Sequence, residues 1–567
     1  MAEYLHPGVY VEEFDSGAVP MQGVSTSTAG FIGLAERGPT SGKPQFITSF
    51  ADYRRVYGGY LGEARYGTNR FLPYSVEHFF INGGSRAYVM RAAPEDAGAA
   101  TATSGVLTVN AANVGSWGDQ IRVTVTASHK ARTQVAAVNG AELRLKNPDG
   151  FNVGDIVELF NGEARAYSVI RNAADGIITL DAPCTMEGIA DLTVGTNKYI
   201  RTCEISLSVK LGETVENFAD LSLNSEAVNY IGARTAKSEL IRVELGEIED
   251  GATVPITLCG ADEAGITLAL QGGGDGNVAG AGADVFIGSD NGPGRRTGLQ
   301  AFLENTDVSI MAVPGVTMPD VQAALIAHCE NLKSRFAVLD IPIERKKVGE
   351  VSEFRDMYDS TYAAIYHPWI EGLDPLAKRS AYFPPSGAMI GIYARCDTER
   401  GVHKAPANEV VRSCTGLSVS YNEAEQDILN PQGINLIRSF TGRGIRVWGA
   451  RTISSNGLWK YLNVRRLFIF VEESIKANTN WVVFEPNSET LWGRVTRTLE
   501  MFLASVWRTG ALAGTTPAEA FYVECGRTTM TQDDIDNGRL ICQIGIAPVK
   551  PAEFVIFRIT QHTASSE

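Results

Sequence analysis

Apolar positions between Thr297 and Ala394 follow two alternating patterns, continuous runs and stripes at helical spacing. The continuous runs, which predict buried strands, are VSIMAVPG, RFAVLD and TYAAIYHP. The stripes, which predict amphipathic helices, are MPDVQAALIAHCENLKS and VSEFRDMYDS. Apolar strands separated by helices are typical of a mostly parallel sheet that is covered on both faces. This part of the chain is therefore predicted to be an α/β core.

The regions before this core differ in pattern. From Ser27 to Arg91 the sequence predicts a strand, a helix ending at Gly58, and then a helix, a Gly-Gly turn and a strand. Residues 105 to about 260 read mostly as β structure. Within them, short strands between about Thr133 and Leu192 are separated by Asn-Gly and Asp-Gly turns, which is typical of a small barrel or sandwich. No aromatic or basic cluster in the sequence marks a ligand site there, so we interpret it as a surface insert.

The block from Asn430 to Glu567 mixes helices and strands, which predicts an α+β unit. One helix is predicted in YLNVRRLFIFVEESIK and another after Pro486, with Ser488 as its N-cap. The second helix has an apolar stripe made of Leu491, Trp492, Val495, Leu499, Phe502, Leu503 and Val506. Arg494, Arg497 and Arg508 lie away from that stripe. Strands are predicted in AFYVECG, RLICQIGIAP and EFVIFRITQ.

Composition and charge argue against several classes of protein. The 567 residues carry a net charge of −15, which argues against a surface that mainly binds nucleic acid. The eight cysteines form no C-x-x-C pair, so reduced thiols without a structural zinc are expected. The sequence shows neither a secretory signal nor a run of about 18 apolar residues, so we expect folding in a cytoplasm without a membrane span.

The candidates for catalysis or cofactor binding each lack part of the required pattern. The glycine-rich stretch from Leu270 to Gly282 has no following Lys-Ser/Thr and does not open a helix, so a loop at a domain junction is predicted. Ser386 lacks the G-x-S-x-G elbow, and His367 and His403 have no nucleophile at a motif spacing. Cys396 and Asp397 with His403 make only an incomplete metal set. We predict no catalytic residue, cofactor or metal.

Long and unusual stretches lie within the core and on both sides of it. They are HPGVYVEE, AAIYHPWI, PPSGAMIGIYARCD, RGVHKAPAN, NLIRSFTGRGIRVWGART, NGLWKYLNVRR and KPAEFVIFRI. These stretches resemble the contractile tail sheath proteins of bacteriophages and of phage-tail-like injection machines. The resemblance covers both ends and roughly residues 265 to 567, and leaves the insert outside.

The resemblance implies a structural protein, not an enzyme. Sheath subunits assemble in the bacterial cytoplasm as stacked six-fold rings around an inner tube, become part of a phage tail or an injection particle, and contract when the baseplate triggers them. The implied partners are other copies of the chain, the inner tube protein, and baseplate and tail-terminator proteins, without direct nucleic acid contact. Two alternatives stay open: a tail-associated cell-wall hydrolase, and a ligand-binding surface module carried on the β insert.

The resemblance also implies an order of domains. The expected fold is α/β and α+β multidomain: an α/β sheath core, a C-terminal α+β domain, β-rich inserted structure, and extended strand arms at both ends. The expected boundaries are 1–25 for an N-terminal linking arm, 26–104 for the first part of the core, 105–265 for the β-rich region with its insert at about 133–192, 266–429 for the α/β sheath domain, 430–550 for the C-terminal domain and 551–567 for a C-terminal linking arm.

Two sets of site residues follow from the resemblance. Strand-forming residues that would link subunits by strand addition are Val9, Tyr10 and Val11 at one end and Phe554, Val555, Ile556 and Phe557 at the other. Arg494, Arg497 and Arg508 are the candidates for contact with the inner tube, since sheath proteins hold their tubes through a charged helix.

Overall fold

The described parts of the chain begin with alternating strands and helices. The computed structural model describes residues 21–183, 192–193, 197–247, 258 and 265–558. The elements up to residue 92 are β1 (Ala29–Leu34), β2 (Gln45–Ile47), α1 (Phe50–Tyr57), α2 (Glu63–Tyr66), α3 (Leu72–Ile81) and β3 (Ala87–Ala92). The helix predicted to end at Gly58 does so, because Gly58 is the C-cap of α1.

The next part of the chain is almost entirely β structure, as its alternating pattern predicts. Its strands are β4 (Thr101–Ser104), β5 (Leu107–Ala111), β6 (Arg122–Ser128), β7 (Arg132–Thr133), β8 (Val135–Asn139), β9 (Glu142–Leu145), β10 (Ile156–Phe160), β11 (Arg165–Ala174), β12 (Ile177–Leu180), β13 (Tyr199–Thr202), β14 (Glu204–Leu211), β15 (Thr214–Leu221), β16 (Ile241–Leu245) and β17 (Ile266–Ala269). A short helix, α4 (Ile231–Thr235), precedes β16.

The alternating apolar core then follows. Its elements are α5 (Ala283–Ile287), β18 (Ile310–Ala312), α6 (Pro319–Leu332), β19 (Phe336–Asp340), α7 (Val348–Arg355), β20 (Ala363–His367), β21 (Ile370–Asp374), β22 (Arg379–Phe383), α8 (Ser386–Arg400), β23 (Gly416–Leu417), α9 (Glu423–Leu429), β24 (Ile434–Phe440) and β25 (Gly444–Val447). The last block contains α10 (Leu462–Asn478), α11 (Glu489–Arg508), α12 (Pro517–Ala520), β26 (Phe521–Cys525), α13 (Gln532–Asp536) and β27 (Cys542–Ile546).

The central sheet has the order β2-β3-β1-β18-β19-β20-β24-β25. Neighbouring strands from β3 to β24 are parallel, and an antiparallel strand closes each edge. Residues far apart in the sequence therefore share one sheet, since β1 pairs with β18 through Ala29 and Ile310. The predicted α/β fold with a mostly parallel sheet is confirmed.

Both faces of this sheet are buried, which explains the continuous apolar runs of its strands. On one face, Ala364 and Tyr366 of β20 join a core with Phe79 of α3 and Ile390 of α8. On the other face, Ile365 of β20 joins a core with residues of α6 and α7. No helix of the described residues is long and apolar enough to cross a lipid bilayer.

Helix α8 packs closely against α3 because it presents glycine at the contact. A Cβ at Gly387 would lie 2.3 Å from the carbonyl oxygen of Ser75, and one at Gly391 would lie 2.5 Å from that of Phe79. Both distances are far below van der Waals contact, so only glycine lets the two backbones approach. The sequence PPSGAMIG thus encodes a helix–helix contact beside the central sheet.

The β-rich part forms separate sheets on two apolar cores. A four-stranded sheet of order β15-β14-β6-β17 and a three-stranded sheet of order β16-β5-β4 share one core. A seven-stranded sheet, β7-β13-β10-β11-β12-β9-β8, surrounds the other core. The strands predicted between Thr133 and Leu192 lie in this larger sheet, which also takes in the later strand β13.

On one face of the seven-stranded sheet, arginine and aromatic side chains lie in a row that is not apparent from the sequence. The Arg132 guanidinium lies 4.0 Å from the centre of the Tyr199 ring, and the ring of Tyr199 lies 5.1 Å from that of Phe160. Arg165 lies 5.4 Å from the Phe160 ring centre. The sequence gives no local sign of this cluster, because only sheet pairing brings together its residues from four strands.

The glycine-rich segment joins the β-rich part to the central sheet. Gly274 and Gly98 exchange backbone hydrogen bonds of 3.0 and 2.9 Å. The Asp275 carboxylate accepts a hydrogen bond from the Ser116 backbone at 2.8 Å and forms an ion pair with Arg65 at 2.5 Å. The segment is a junction loop, as predicted.

We expect Gly391→Ala to destabilise the fold by about 1–3 kcal/mol, because the added methyl group must displace the Phe79 backbone. The free energy of unfolding, measured by chemical denaturation, checks this prediction.

Gly349→Ala is the matched control. Gly349 also lies in a helix, α7, but nothing lies within 4 Å of its Cβ position. Alanine should therefore stabilise that helix by about 0.5–1 kcal/mol through its lower conformational entropy. Equal effects of the two substitutions would contradict the close contact between α3 and α8.

Candidate functional site

The C-terminal segment is held at Glu553, immediately before its apolar stretch. Arg451 donates two hydrogen bonds to the Glu553 carboxylate, from Nε at 2.7 Å and from Nη2 at 2.6 Å. Asn430 donates a third at 2.9 Å and the Tyr461 hydroxyl a fourth at 3.1 Å. Burial opposes ionisation of Glu553, but these hydrogen bonds outweigh it and the pKa lies below its ordinary value. Glu553 is therefore an ionised anchor, which we call the C-terminal root.

Beyond this root the chain runs into solvent. Four consecutive apolar side chains are 71, 68, 79 and 84% exposed, at Phe554, Val555, Ile556 and Phe557. The strand predicted in EFVIFRITQ is wrong for the single chain over the described residues 551–558, which form no strand. The physical reason is that an extended segment needs a neighbouring strand, and the described chain places none beside it.

The N-terminal segment is held in a similar way where the described chain begins. The Thr26 hydroxyl donates to Asp397 Oδ2 at 2.7 Å, and Arg466 donates to the Thr26 carbonyl at 2.9 Å. The Val24 N–H donates to Ser474 Oγ at 3.1 Å. These contacts define the N-terminal root; Val9, Tyr10 and Val11 lie outside the described residues.

A single helix, α10, contacts the N-terminal root and the chain just before the C-terminal root. Its Arg466 and Ser474 hold the N-terminal root, and Asn478 near its end hydrogen-bonds with the backbone of Gln22. At its other end, Asn463 donates to the carbonyl of Val549, which precedes the C-terminal root. The described segments around Gln22–Thr26 and at Val549 therefore both contact α10.

A two-stranded antiparallel sheet, β26–β27, lies in the same block and packs on α11. In the described chain neither outer edge is paired along its length, apart from the Ala513 N–H that donates to the Ala547 carbonyl at one end. Unpaired edges leave backbone N–H and C=O groups available to a further strand. We call this sheet the C-terminal hairpin.

Helix α11 has the predicted apolar stripe, since all seven of its predicted residues are buried. Ser488 lies at the N-cap position but makes no capping hydrogen bond through its side chain. Arg497 and Arg508 are exposed, with the 55% exposed Met501 in the same helix. Arg494 is half-buried, and its guanidinium lies 4.0 Å from the Trp481 ring centre.

Ser386 and Asp340 form a buried hydrogen-bonded pair. The Asp340 carboxylate accepts from the Ser386 hydroxyl at 2.7 Å, the Ser386 N–H at 2.9 Å and the Gly315 N–H at 3.0 Å. Burial raises the pKa of Asp340 to about 6, although these hydrogen bonds act in the opposite direction. The pair fixes the start of α8 to the end of β19, which is a structural role.

The remaining candidates for chemistry are occupied by other contacts. His367 is buried, which lowers its pKa to about 3, and its Nε2 lies 2.8 Å from the Tyr421 hydroxyl. Asp397 pairs with Arg466, and the Cys396 thiol donates to the Lys404 carbonyl at 3.6 Å. Among the residues that the structure describes, no group of three or more His, Cys, Asp or Glu side chains could hold a metal ion.

Family models agree with the fold and the arrangement of the last block. A model of the phage tail sheath protein central domain matches residues 292–453, and a model of the phage tail sheath C-terminal domain matches residues 454–562. Residues 292–562 of the chain therefore belong to the phage tail sheath family. The second match contains the C-terminal root, the hairpin and α11.

Individual sheath proteins are similar over part of the chain. A prophage major tail sheath protein of Pseudomonas aeruginosa (strain UCBPP-PA14) is 25% identical over 289 residues, 49% of this chain and 72% of that protein. The tail sheath protein of Escherichia phage P2 is 28% identical over 218 residues, 36% of this chain and 54% of that protein.

A solved structure extends the similarity of fold to nearly the whole sheath chain. The PVC sheath complex of an extracellular contractile injection system, in its contracted state, is 21% identical with a TM-score of 0.53. The alignment covers 99% of both chains. The overall architecture, including the β-rich part, is therefore that of a sheath subunit fold.

Sequence reasoning missed both roots. Glu553 and Arg451 are 102 residues apart, and Thr26 and Arg466 are 440 apart, so no local spacing links them. The available signal was indirect: each root directly adjoins a segment whose pattern predicted an arm. A charged residue beside a predicted arm is where such an anchor could have been sought.

The Asp340 carboxyl predicts a pH dependence of stability. Its pKa in the folded chain, about 6, lies above its ordinary value of 3.8. The folded chain therefore binds this proton more tightly, and the stabilising contribution is complete below about pH 3.8 and lost as the pH rises through 6. Asp340→Asn cannot titrate, so its free energy of unfolding relative to the unchanged chain should rise by up to about 3 kcal/mol between pH 4 and pH 7.

Ser386→Ala provides the companion measurement. Loss of the hydroxyl donor should raise the pKa of Asp340 further and move this pH-dependent change upward. Urea denaturation at several pH values checks both variants. A stability difference between Asp340→Asn and the unchanged chain that is independent of pH would contradict the buried carboxyl.

Proposed function

We propose that this chain is a structural subunit of a contractile tail sheath and that its two arms link neighbouring copies by strand addition. The single observation that carries the proposal is the exposed apolar segment Phe554–Phe557, which continues from an anchored root beside a hairpin with unpaired edges. Family membership supports the sheath role, and the geometry supports the means of linkage.

The exposed apolar side chains of the C-terminal arm favour a role in binding a partner over that of an unbound terminus. Four large apolar side chains in water are unfavourable, and burial of each would contribute about 1.5–3 kcal/mol. The four hydrogen bonds to Glu553 fix the position from which the segment leaves the body of the protein. The occupant that satisfies both constraints is an edge strand of another copy, and the C-terminal hairpin offers such edges.

Strand addition gives a strong but flexible link. Five or six main-chain hydrogen bonds at a net value of about 0.5–1.5 kcal/mol each contribute several kcal/mol per link. Side chains that alternate between the two faces fix the register. Because the link lies beyond the roots, neighbouring bodies can rotate while their links persist, as contraction requires.

The proposed assembly consists of six-fold rings stacked helically around an inner tube, with baseplate and terminator proteins at its ends. The work of contraction comes from the extended lattice, so the subunit itself catalyses no reaction. This agrees with the structural use of Ser386 and Asp340. Assembly in the bacterial cytoplasm as part of a phage tail or an injection particle completes the proposal.

A truncation after Glu553 tests the linkage. It removes Phe554 to Glu567 but keeps the anchored root, so we expect a folded chain that forms no tubes or stacked rings in electron micrographs. A second variant keeps the length and replaces Phe554, Val555, Ile556 and Phe557 by serine, with the same expectation.

The truncation tests whether the length of the arm is needed for assembly. The serine variant tests whether its apolar side chains are needed. Ser565→Ala and Ser566→Ala, changed together near the end of the chain, serve as the control and should assemble normally. Circular dichroism verifies that each variant is folded. Normal contractile tubes from either arm variant would refute the linkage.

Contact with the inner tube is proposed through the outward face of α11. Arg497 and Arg508 are exposed there, while Arg494 is held against Trp481. An acidic strip on the tube would pair with this face. Exposed pairs contribute only about 0.2–1 kcal/mol each, so the grip must come from many subunits and should weaken as salt rises.

Charge reversal tests the tube contact. Sheaths with Arg497→Glu and Arg508→Glu together should assemble but no longer co-purify with the inner tube, because each exchange turns attraction into repulsion. Arg379→Glu is the matched control, since its side chain is 72% exposed and lies on β22 of the core. Undiminished co-purification of tube with the double variant would rule out this face.

A further inference from the structure

Two cysteines lie directly opposite each other on the C-terminal hairpin. Cys525 ends β26, Cys542 begins β27, and the two are partners in the antiparallel register. Their thiols are hydrogen-bonded to each other and form no disulfide. Among the described strands, this is the one register pair in which both residues are cysteine.

The backbone places this pair within the range of a disulfide. The Ala547 N–H donates to the Ala520 carbonyl at 2.8 Å, which sets the phase of the ladder. Hydrogen-bonded and non-hydrogen-bonded pairs alternate along antiparallel strands, so Cys525 and Cys542 form a non-hydrogen-bonded pair. Such pairs hold their Cα atoms about 4.5 Å apart, and disulfides span about 4.4–6.8 Å.

The surroundings keep the thiols protonated yet within reach of solvent. Both residues are half-buried on the face of the hairpin that packs against α11, and Cys542 joins the cluster of Leu491, Val495 and Leu499. Burial raises the pKa of Cys525 and raises that of Cys542 to about 12. Thiols of this kind stay reduced in a cytoplasm and react slowly, because the thiolate is the attacking species.

We propose that Cys525 and Cys542 are an intrachain disulfide site that a low-molecular-mass disulfide oxidises once the protein leaves a reducing cytoplasm. The Cys525 thiolate attacks one sulfur of the oxidant, forms a mixed disulfide and releases the first thiolate. The Cys542 sulfur then attacks Cys525, closes the protein disulfide and releases the second thiolate. The two protons of the protein thiols pass to the released thiolates, so two protein thiols are oxidised and one small disulfide is reduced to two thiols.

The proposed effect of the disulfide rests on the proposed function of the arms. The disulfide site itself rests only on the structure of the C-terminal hairpin. A disulfide here would close the loop of residues 526–541, which contains α13, and covalently join β26 to β27. If these strands receive the arm of a neighbouring copy, the disulfide would keep the acceptor sheet from opening under load. Subunits would then assemble with a reduced hairpin and acquire the covalent joint after release.

The test uses the purified, unassembled full chain with oxidised glutathione at about pH 8.5. We expect the chain to lose two hydrogens by intact mass, and tryptic peptides containing Cys525 and Cys542 to be joined. Amide hydrogen exchange in β26 and β27 should slow at least about tenfold. No mass change, a stable glutathione adduct on the unchanged chain, or a disulfide with another cysteine would overturn the proposal.

Three cysteine variants test whether the disulfide forms between Cys525 and Cys542. Cys525→Ser and Cys542→Ser should each accumulate a glutathione adduct on the remaining hairpin cysteine instead of losing two hydrogens. Cys414→Ser, a half-buried cysteine on a different part of the chain, should behave as the unchanged protein does. Since none of these readouts needs tubes, failure of sheath assembly and failure of the disulfide are separately visible.

Discussion

The buried ion pair between Arg466 and Asp397 joins the parts on which the proposed assembly depends. Their side chains are 3 and 4% exposed, and Asp397 belongs to α8 of the core while Arg466 belongs to α10. Thr26 completes the group from the N-terminal segment. Removal of one partner of a buried pair costs about 3–5 kcal/mol, because the other charge is left without compensation. The core, the C-terminal block and the N-terminal root therefore meet at this ion pair.

The central fold was predictable because each of its elements has a periodic pattern of its own. The buried runs of β19 and β20 and the stripe of α11 can be recognised without knowledge of their partners, and the structure confirms them. The exposed segment Phe554–Phe557 shows where this reasoning ends. Its composition predicts a strand, but a strand exists only with a neighbour, and the sequence of one chain does not supply it.

The site was less predictable for a related reason. The roots depend on contacts such as Arg451 with Glu553, which no sequence spacing connects. The row of Arg132, Tyr199 and Phe160 likewise exists only after the sheet pairs its strands. The hydrogen bond from the Ser386 hydroxyl to the buried Asp340 carboxylate is a further contact that no sequence spacing indicates. Local sequence patterns thus predict individual helices and strands. The side-chain contacts between them depend on residues far apart in the sequence.

The position of α10 connects these contacts to the proposed motion. Arg465 of this helix lies 3.5 Å from the Trp459 ring centre and 4.4 Å from that of Tyr362, so α10 is also fixed to β20's end of the sheet. Force arriving through either arm would therefore reach the same rigid helix and pass into the core through Arg465 and Arg466. Arms that left from separate mobile elements would deform the subunit before they moved it. In the proposed assembly, contacts of α10 near both arms would let the body turn as a unit while the proposed links between copies carry the change in lattice.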